Sequence, residues 1–260
     1  MDQLYQIEDN NGLFDTEESD FWIDHQEALY SILILLFQSI ENYLKKEICL
    51  ESPLLIISTP PSRWANKPFN KLFIYGFDDL LRIYCEIKNI TLNQPTFKEL
   101  QNIKNTRNSI VHGVHQDILF PENVMEYIFL FLKDLWGKEW LKDIKPFIAY
   151  DWLSSSDTIF IWRYVALFQR YLDKNRTCLL IGGKISHSYV CPNCHYENIE
   201  SMCIEECDYS YFIKKNDGEY LICPICENEF KLTNETCKNM DCKQRLIHSE
   251  EHGYFCLNCF

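Results

Sequence analysis

The sequence lacks the marks of secretion and of membrane insertion. It begins Met1-Asp2-Gln3 and stays acidic through Asp20, so the positively charged start and the apolar core of a signal peptide are missing. The longest apolar run, residues 29–37, has about half the length that a membrane-spanning helix needs. We therefore expect a cytoplasmic protein with no membrane partner.

Several catalytic signatures are missing as well. There is no Gly-rich phosphate loop, no Gly-x-Ser-x-Gly elbow and no His-Glu-x-x-His zinc motif. Basic residues are also scarce, because 25 Lys and Arg stand against 38 Asp and Glu and give a net charge of −13. This balance disfavours non-specific nucleic-acid binding, which depends on a basic surface. Any contact with RNA must therefore depend on a local site.

Hydrophobic periodicity predicts helices through the first two thirds of the chain. The predicted helices cover residues 19–48, 77–88, 96–112, 121–135 and 157–174. Thr96 followed by Glu99 has the spacing of an N-terminal capping box, and Gly113 is placed to end the same helix. Residues 51–76 contain four prolines, which predict an irregular loop.

The pattern changes near residue 177, where short alternating stretches and turn residues begin. Residues 208–215, the turn Asn216-Asp217-Gly218 and residues 219–222 predict a β-hairpin. The predicted fold class is α+β: a mainly α-helical bundle at 19–176, preceded by a flexible tail at 1–18, and a small β-rich domain at 177–260.

Cysteine is concentrated in this last segment. Ten of the 13 cysteines lie between residues 191 and 259. The odd total and the missing export signal argue against a disulfide framework and favour metal binding. Zinc is held by four thiolates in a tetrahedron, and each close Cys pair supplies two of them. The pairs are Cys191/Cys194, Cys203/Cys207, Cys223/Cys226, Cys237/Cys242 and Cys256/Cys259.

We predict two structural zinc ions in a double zinc ribbon, in which a hairpin separates the two Cys pairs of each site. The preferred grouping is Cys203/Cys207 with Cys223/Cys226, and Cys237/Cys242 with Cys256/Cys259. Cys191/Cys194 is then spare or completed by His187 or His195.

Two other groupings remain open. Cys191/Cys194 can join Cys223/Cys226, which leaves Cys203/Cys207 outside. Neighbouring pairs can also combine down the array, which leaves Cys256/Cys259 unmatched. In each grouping sulfur ligands fill every coordination position of the zinc ion. The sites are therefore predicted to stabilise the fold and shape a contact surface, and not to catalyse a reaction.

A second informative stretch lies at the end of the 96–112 helix. Arg107 falls on the apolar stripe that this helix presents, although Arg is seldom buried without a partner. Asn108 and His112 are four residues apart and can form a hydrogen bond that orients the imidazole. Arg107 and His112 are about 140° apart on an ideal helix. They would meet at one site where the helix packs against a copy of itself. The stripe consists of Leu100, Ile103, Ile110, Val111 and Val114.

The stretch Arg107-Asn108-Ser109-Ile110-Val111-His112 resembles the Arg-Asn-x-x-x-His motif of the HEPN family, and the likeness covers about residues 20–150. The resemblance implies a helical bundle that forms a homodimer and cleaves RNA without metal, leaving 2′,3′-cyclic phosphate ends. It implies that His112 is the general acid or base, that Arg107 holds the phosphate and that Asn108 orients His112. Lys104 and His115 are near enough to assist in substrate binding.

The resemblance also implies a biological setting. Many HEPN proteins act as toxins or as anti-phage defence effectors, so an antitoxin or another protein is an expected partner. The zinc ribbons would select the substrate or the partner. The alternative is a non-catalytic HEPN adaptor that binds a nucleotide or a protein and carries structural zinc ribbons.

Overall fold

The computed structural model describes residues 18–65, 67–91, 94–114, 117–137, 140–148, 157–184, 189–200, 209–239, 241–242, 244–250 and 253–259. The predicted tail, apart from Glu18, lies outside these ranges. Contacts divide the chain into two compact units, residues 1–136 and 137–260. Within the ranges given, no helix combines the length and the apolar character needed to cross a bilayer.

The first unit is helical and is built around one long helix. Its helices are α1 (Glu18–Asp24), α2 (Gln26–Glu51), α3 (Phe77–Lys88), α4 (Gln94–Val111) and α5 (Pro121–Leu130), which continues into a π-helical turn (Phe131–Trp136). α2 contacts α3, α4 and α5 and is the centre of the unit. Its fully buried side chains recur at the helical spacing read from the sequence, and they are Leu29, Leu33, Ile40, Leu44 and Ile48.

Two helices differ from the prediction in their first turns. The helix predicted at 19–48 is interrupted at His25, whose Nδ1 lies 2.8 Å from the carbonyl oxygen of Phe21. The prediction of a capping box at Thr96 is wrong, because α4 begins at Gln94 and Thr96 lies inside the helix. Thr96 is buried in the first turn and its Oγ1 donates to Oδ2 of Asp134 at 2.6 Å.

The end of α4 agrees with the prediction. Gly113 adopts a φ of +67°, the left-handed conformation that favours glycine. The backbone N–H of Val114 then reaches back to the carbonyl of Ser109 at 2.9 Å. This C-terminal cap fixes where the chain leaves the helix that carries Arg107 and His112.

The second unit combines four helices of the described segments with an antiparallel sheet. The helices are α6 (Trp140–Ile148), α7 (Asp157–Tyr171), α8 (Lys174–Leu180) and α9 (Pro192–Glu200). The strands are β1 (Tyr211–Lys215), β2 (Gly218–Ile222), β3 (Glu229–Thr236), β4 (Arg245–Ser249) and β5 (Gly253–Cys256), paired in the order β1-β2-β3-β4-β5. The predicted hairpin is confirmed as β1–β2, with Lys215 opposite Gly218. The α+β class is confirmed.

The predicted boundary near residue 177 falls inside this second unit, because α7 packs against the cysteine-rich part. The Trp162 ring lies 6.3 Å from the ring of Tyr209, and Gln169 Nε2 donates to the Tyr209 hydroxyl at 2.7 Å. α7 also contacts α9. Both rings are almost fully buried, so neither side of this contact has a complete core without the other.

This packing predicts how fragments of the chain behave. With zinc supplied, a fragment of residues 137–260 should unfold cooperatively, as followed by circular dichroism and by the dispersion of amide NMR signals. A fragment of residues 177–260 lacks α7 and exposes Tyr209, and loss of aromatic burial on this scale costs about 3 kcal/mol or more. It should melt at a clearly lower temperature. Equal melting of the two fragments contradicts the boundary at Gly137.

Candidate metal centres and Arg107 site

Metal site 1 is formed by Cys191, Cys194, Cys223 and Cys226, whose sulfur atoms all lie within 4.8 Å of one another. The Sγ atoms of Cys191 and Cys226 are 3.5 Å apart, and those of Cys194 and Cys223 are 3.7 Å apart. A zinc ion with Zn–S bonds of about 2.3 Å places its four sulfurs about 3.8 Å from one another. A disulfide needs about 2.05 Å, so the four residues are free thiols with the spacing of zinc ligands.

Two different turns position these ligands. Cys191 directly precedes α9 and Cys194 lies in its first turn. Cys223 follows β2, and its backbone N–H donates to the carbonyl of Asn228 at 3.1 Å. The N–H of Glu227 closes the same turn on the Cys223 carbonyl at 2.9 Å, and Glu227 takes a positive φ of 62°. Each turn thereby directs two sulfurs toward one point.

The preferred grouping for this site is wrong. Cys223 and Cys226 meet Cys191 and Cys194, which is one of the two groupings left open by the sequence. Four cysteines complete the set, so the ring of His195 is not needed as a ligand and lies 6.3 Å from the ring of Phe255. Cys203, Cys207 and His187 lie outside the described residues.

Metal site 2 has the grouping predicted from the sequence, Cys237, Cys242, Cys256 and Cys259. The Cys237 and Cys259 sulfurs are 3.9 Å apart, and those of Cys242 and Cys256 are 3.6 Å apart. Cys237 directly follows β3 and Cys242 lies three residues before β4, whereas Cys256 ends β5 and Cys259 lies three residues beyond it.

Hydrogen bonds to sulfur support metal site 2. Asn239 Nδ2 donates to Cys259 at 3.7 Å, and Asn258 Nδ2 donates to Cys242 at 3.6 Å. The pKa of Cys242 is lowered to about 7, mainly because the backbone N–H of Gln244 donates to its sulfur. Such partners orient metal ligands and favour their thiolate form. The sequence pattern of Cys pairs did not identify Asn239, Gln244 or Asn258.

The thiols of metal site 1 require a cation to ionise together. The pKa of Cys194 is raised, mainly by its hydrogen bond with Cys191, whereas hydrogen bonds from the neighbouring thiols, that of Cys191 first, lower the pKa of Cys223. One thiolate in the buried group therefore disfavours the next. A zinc ion removes this conflict, and the eight sulfurs of the two sites fit two zinc ions. Zinc so ligated stabilises the fold and has no open position for a substrate.

The Arg107 side chain is held in place by neighbours that carry no negative charge. α4 packs on α2, and the Arg107 guanidinium carbon lies 5.4 Å from the ring centre of Phe37. Its Nη1 donates to Oδ1 of Asn108 at 3.0 Å, and its buried Nε has no hydrogen-bond partner. Among the described residues no carboxylate pairs with it. A half-buried guanidinium that is fixed but not neutralised is suited to bind an anion. The apolar pattern of α2 gave no sign that Phe37 has this role.

The other predicted residues of the motif are placed differently. His112 is exposed beyond the last residue of α4, and its imidazole forms no hydrogen bond with any described residue. The predicted hydrogen bond to Asn108 is therefore absent, and Asn108 Oδ1 instead accepts from Arg107 Nη1. Lys104 forms an ion pair with Asp78 at 2.6 Å, which lowers the pKa of that carboxyl. His115 lies outside the described residues.

The apolar stripe of α4 is only half covered. Leu100 and Ile103 are buried, as predicted, but Val111 and Val114 are 51% and 66% exposed. The end of the helix that carries the motif thus presents an apolar surface to solvent.

Comparisons with protein-family models, with curated proteins and with solved structures find no match for this chain.

The geometry of the two four-cysteine groups predicts the metal content of variants. The purified chain should carry two zinc ions, one for each group. Cys226→Ser should lose one ion and Cys256→Ser the other, because each removes one of four ligands. Mass spectrometry of the native protein and a zinc-release assay measure the stoichiometry.

Two controls test the grouping itself. Cys49→Ser removes a half-buried cysteine of the first unit and should keep both ions. Cys203→Ser and Cys207→Ser should also keep both ions, since Cys191 and Cys194 complete metal site 1. Loss of an ion in either of these two variants would restore the grouping first preferred from the sequence.

Proposed function

We propose that this chain is a metal-independent endoribonuclease of the HEPN type that acts as a homodimer. The observation that carries the proposal is Arg107, a guanidinium fixed by Phe37 and Asn108 without a carboxylate partner among the described residues, in a chain of net charge −13. A phosphodiester of RNA is an anion that a guanidinium binds through its planar edge. The Arg-Asn-x-x-x-His motif supplies the second reactive group, His112, just past the end of the same helix.

The proposed chemistry needs only these groups. A base removes the proton of the ribose 2′-hydroxyl, and the 2′-oxygen forms a bond to phosphorus. The bond from phosphorus to the 5′-oxygen breaks, and an acid donates a proton to that oxygen. The ends are then a 2′,3′-cyclic phosphate and a 5′-hydroxyl. An imidazole titrates near neutral pH and can act as base or acid, while Arg107 offsets charge that develops on the phosphate.

A dimer supplies what one protomer lacks. One His112 cannot be base and acid in the same step, whereas two protomers bring two imidazoles to one cleft. The exposed Val111 and Val114 lie at the motif end of α4 and offer an apolar surface for a second copy. Because Asn108 is engaged by Arg107, we assign it the role of fixing the guanidinium instead of orienting His112.

The second unit has a supporting role in this proposal. The two closed four-cysteine sites form a double zinc ribbon that stabilises its sheet and presents a surface for the substrate or a partner protein. The setting of the enzyme as a cytoplasmic toxin or anti-phage defence effector, with an antitoxin as partner, follows from the HEPN resemblance alone.

Removal of either reactive group should abolish cleavage. The full chain is incubated with RNA in EDTA, and its zinc content is checked before and after. His112→Ala should lower the cleavage rate by about 10²- to 10⁴-fold, the range for loss of an acid–base group. Arg107→Ala should lower it by about 10²- to 10³-fold, the range for loss of one donor that stabilises the transition state. Arg107→Lys keeps the charge but loses the planar fork and should also be impaired. Gel analysis and end-group mapping measure the products.

Matched controls make this test specific. Lys98→Ala changes an exposed cation on the same helix and should leave the rate unchanged. RNA with 2′-deoxy sugars should resist cleavage, because the attacking hydroxyl is missing. Cleavage that persists in His112→Ala, or an intact chain that cuts no RNA, would refute the nuclease.

The proposed dimer predicts that a charge at Val114 weakens the association of two copies. A carboxylate buried in the apolar contact is costly, so Val114→Asp should weaken association by about tenfold or more. Cleavage should fall with it at concentrations where the variant is monomeric. Light scattering after size-exclusion chromatography measures the mass. Leu50→Asp is the control, since Leu50 is also exposed in the first unit but lies at the end of α2. A monomeric wild-type chain with full activity contradicts the shared cleft.

A further inference from the structure

The loop between α2 and α3, residues 52–76, differs in charge from the rest of the chain. It contains Arg63, Lys67 and Lys71 and no Asp or Glu, although the whole chain has 13 more acidic than basic residues. All three cations are exposed, and none pairs with a carboxylate in the part of the chain that the structure describes. This segment, here named the basic loop, is therefore a local positive surface on an acidic protein.

Two aromatic residues of the same loop are also exposed, and each lies two residues from Lys71 in the sequence. Phe73 is 77% exposed and Phe69 is 49% exposed. A single exposed aromatic ring is common on protein surfaces and needs no explanation. Two exposed rings in one loop with three cations, however, form the pattern that binds single-stranded nucleic acids. The bases stack on the rings and the phosphates contact the cations.

The basic loop is ordered by its own hydrogen bonds. Ile57 and Ile74 form an antiparallel bridge, and Phe73 N donates to Oγ1 of Thr59 at 2.8 Å. Trp64 Nε1 donates to the Thr59 carbonyl at 2.5 Å. Ile57 and Thr59 are buried, so the base of the loop is anchored while its cations and phenylalanines face solvent. A fixed surface binds with less loss of conformational entropy than a mobile one.

The loop also ends next to the Arg107 site. Gly76 is its last residue, and Phe77, the first residue of α3, places its ring 4.9 Å from that of Phe37. The guanidinium of Arg107 lies over the same Phe37 ring. Two buried rings, Phe77 and Phe37, therefore connect the end of the basic loop to the proposed phosphate site.

We propose that the basic loop binds single-stranded RNA and leads it to Arg107, with Phe73 and Phe69 stacking on bases and Arg63, Lys67 and Lys71 contacting phosphates. This inference deepens the proposed function and rests on it for the ligand being RNA. It identifies the substrate class as an unpaired strand, because the stacking faces of bases are covered within a duplex.

Binding of a fluorescein-labelled oligouridine to the full chain tests the cations. The His112→Ala protein is used, so that the probe is not cut during measurement of its anisotropy. With Arg63→Glu, Lys67→Glu and Lys71→Glu combined, affinity should fall at least about tenfold, and the slope of log K against log salt should become less steep by about 2, since each phosphate contact on a single strand contributes about 0.7.

A charge-matched control separates the loop from net charge. Lys46→Glu, Lys98→Glu and Lys133→Glu alter three exposed cations elsewhere in the first unit by the same amount. This variant should bind the probe within about threefold of the parent protein, a change smaller than one good ionic contact produces. Circular dichroism and zinc content confirm that both triple variants are folded. Equal losses in the two triple variants overturn the proposal.

Substitutions at Phe73 test stacking against simple apolar contact. Phe73→Leu keeps an apolar side chain without a π face and should weaken binding about fivefold or more, the fold-change for loss of one stacked base. Phe73→Trp should bind as well as the parent or better. Equal binding by both variants shows that no base stacks there and overturns the proposal. Loop-dependent binding to phosphatidylserine vesicles in place of RNA also overturns it.

The outcomes distinguish this inference from the nuclease. If the loop variants lose RNA affinity but the wild-type chain cuts no RNA, the basic loop is upheld and the nuclease fails. If the wild-type chain cuts RNA in a manner that depends on Arg107 and His112, while the loop variants bind and cut normally, the nuclease is upheld and the role of the loop is refuted.

Discussion

The requirement that clustered thiolates be matched by a cation governs the second unit. The sulfur atoms of metal site 1 are buried and close together, so they cannot all ionise unless zinc compensates them. The Cys pairs are placed by α9 and by the turn after β2, and α7 covers Tyr209 beside them. A zinc ion bound at this site would therefore connect the sheet to the helices, and its removal would affect more than the turns that carry the cysteines.

The first unit uses charge in the opposite way. Among the described residues Arg107 has no carboxylate partner, although the chain has an excess of acidic residues, and Phe37 and Asn108 fix it by contacts that do not neutralise it. The basic loop repeats this arrangement on a wider surface. A positive region of this kind would attract an anionic strand to a chain whose net charge is −13.

The sequence predicted the elements whose signals are local. The buried face of α2, the helix at Phe77–Lys88, the cap at Gly113 and the β1–β2 hairpin follow from periodicity and turn residues within a short window. The grouping of Cys223 with Cys191 did not, because spacing along the chain leaves several pairs equally compatible. The same limit applies to Thr96, whose hydroxyl donates to Asp134 in a distant segment. It also applies to Phe37, because its apolar position in the sequence does not indicate the contact with Arg107.

The two four-cysteine groups occupy separate stretches of the chain, residues 191–226 and 237–259, and do not interleave. The described strands also pair in the order in which they follow one another in the chain. Each group can therefore close as soon as its own stretch has emerged during synthesis, because all four of its sulfurs lie within that stretch. Zinc bound to both groups would therefore be acquired stepwise in chain order, and a species that holds one ion would be an intermediate.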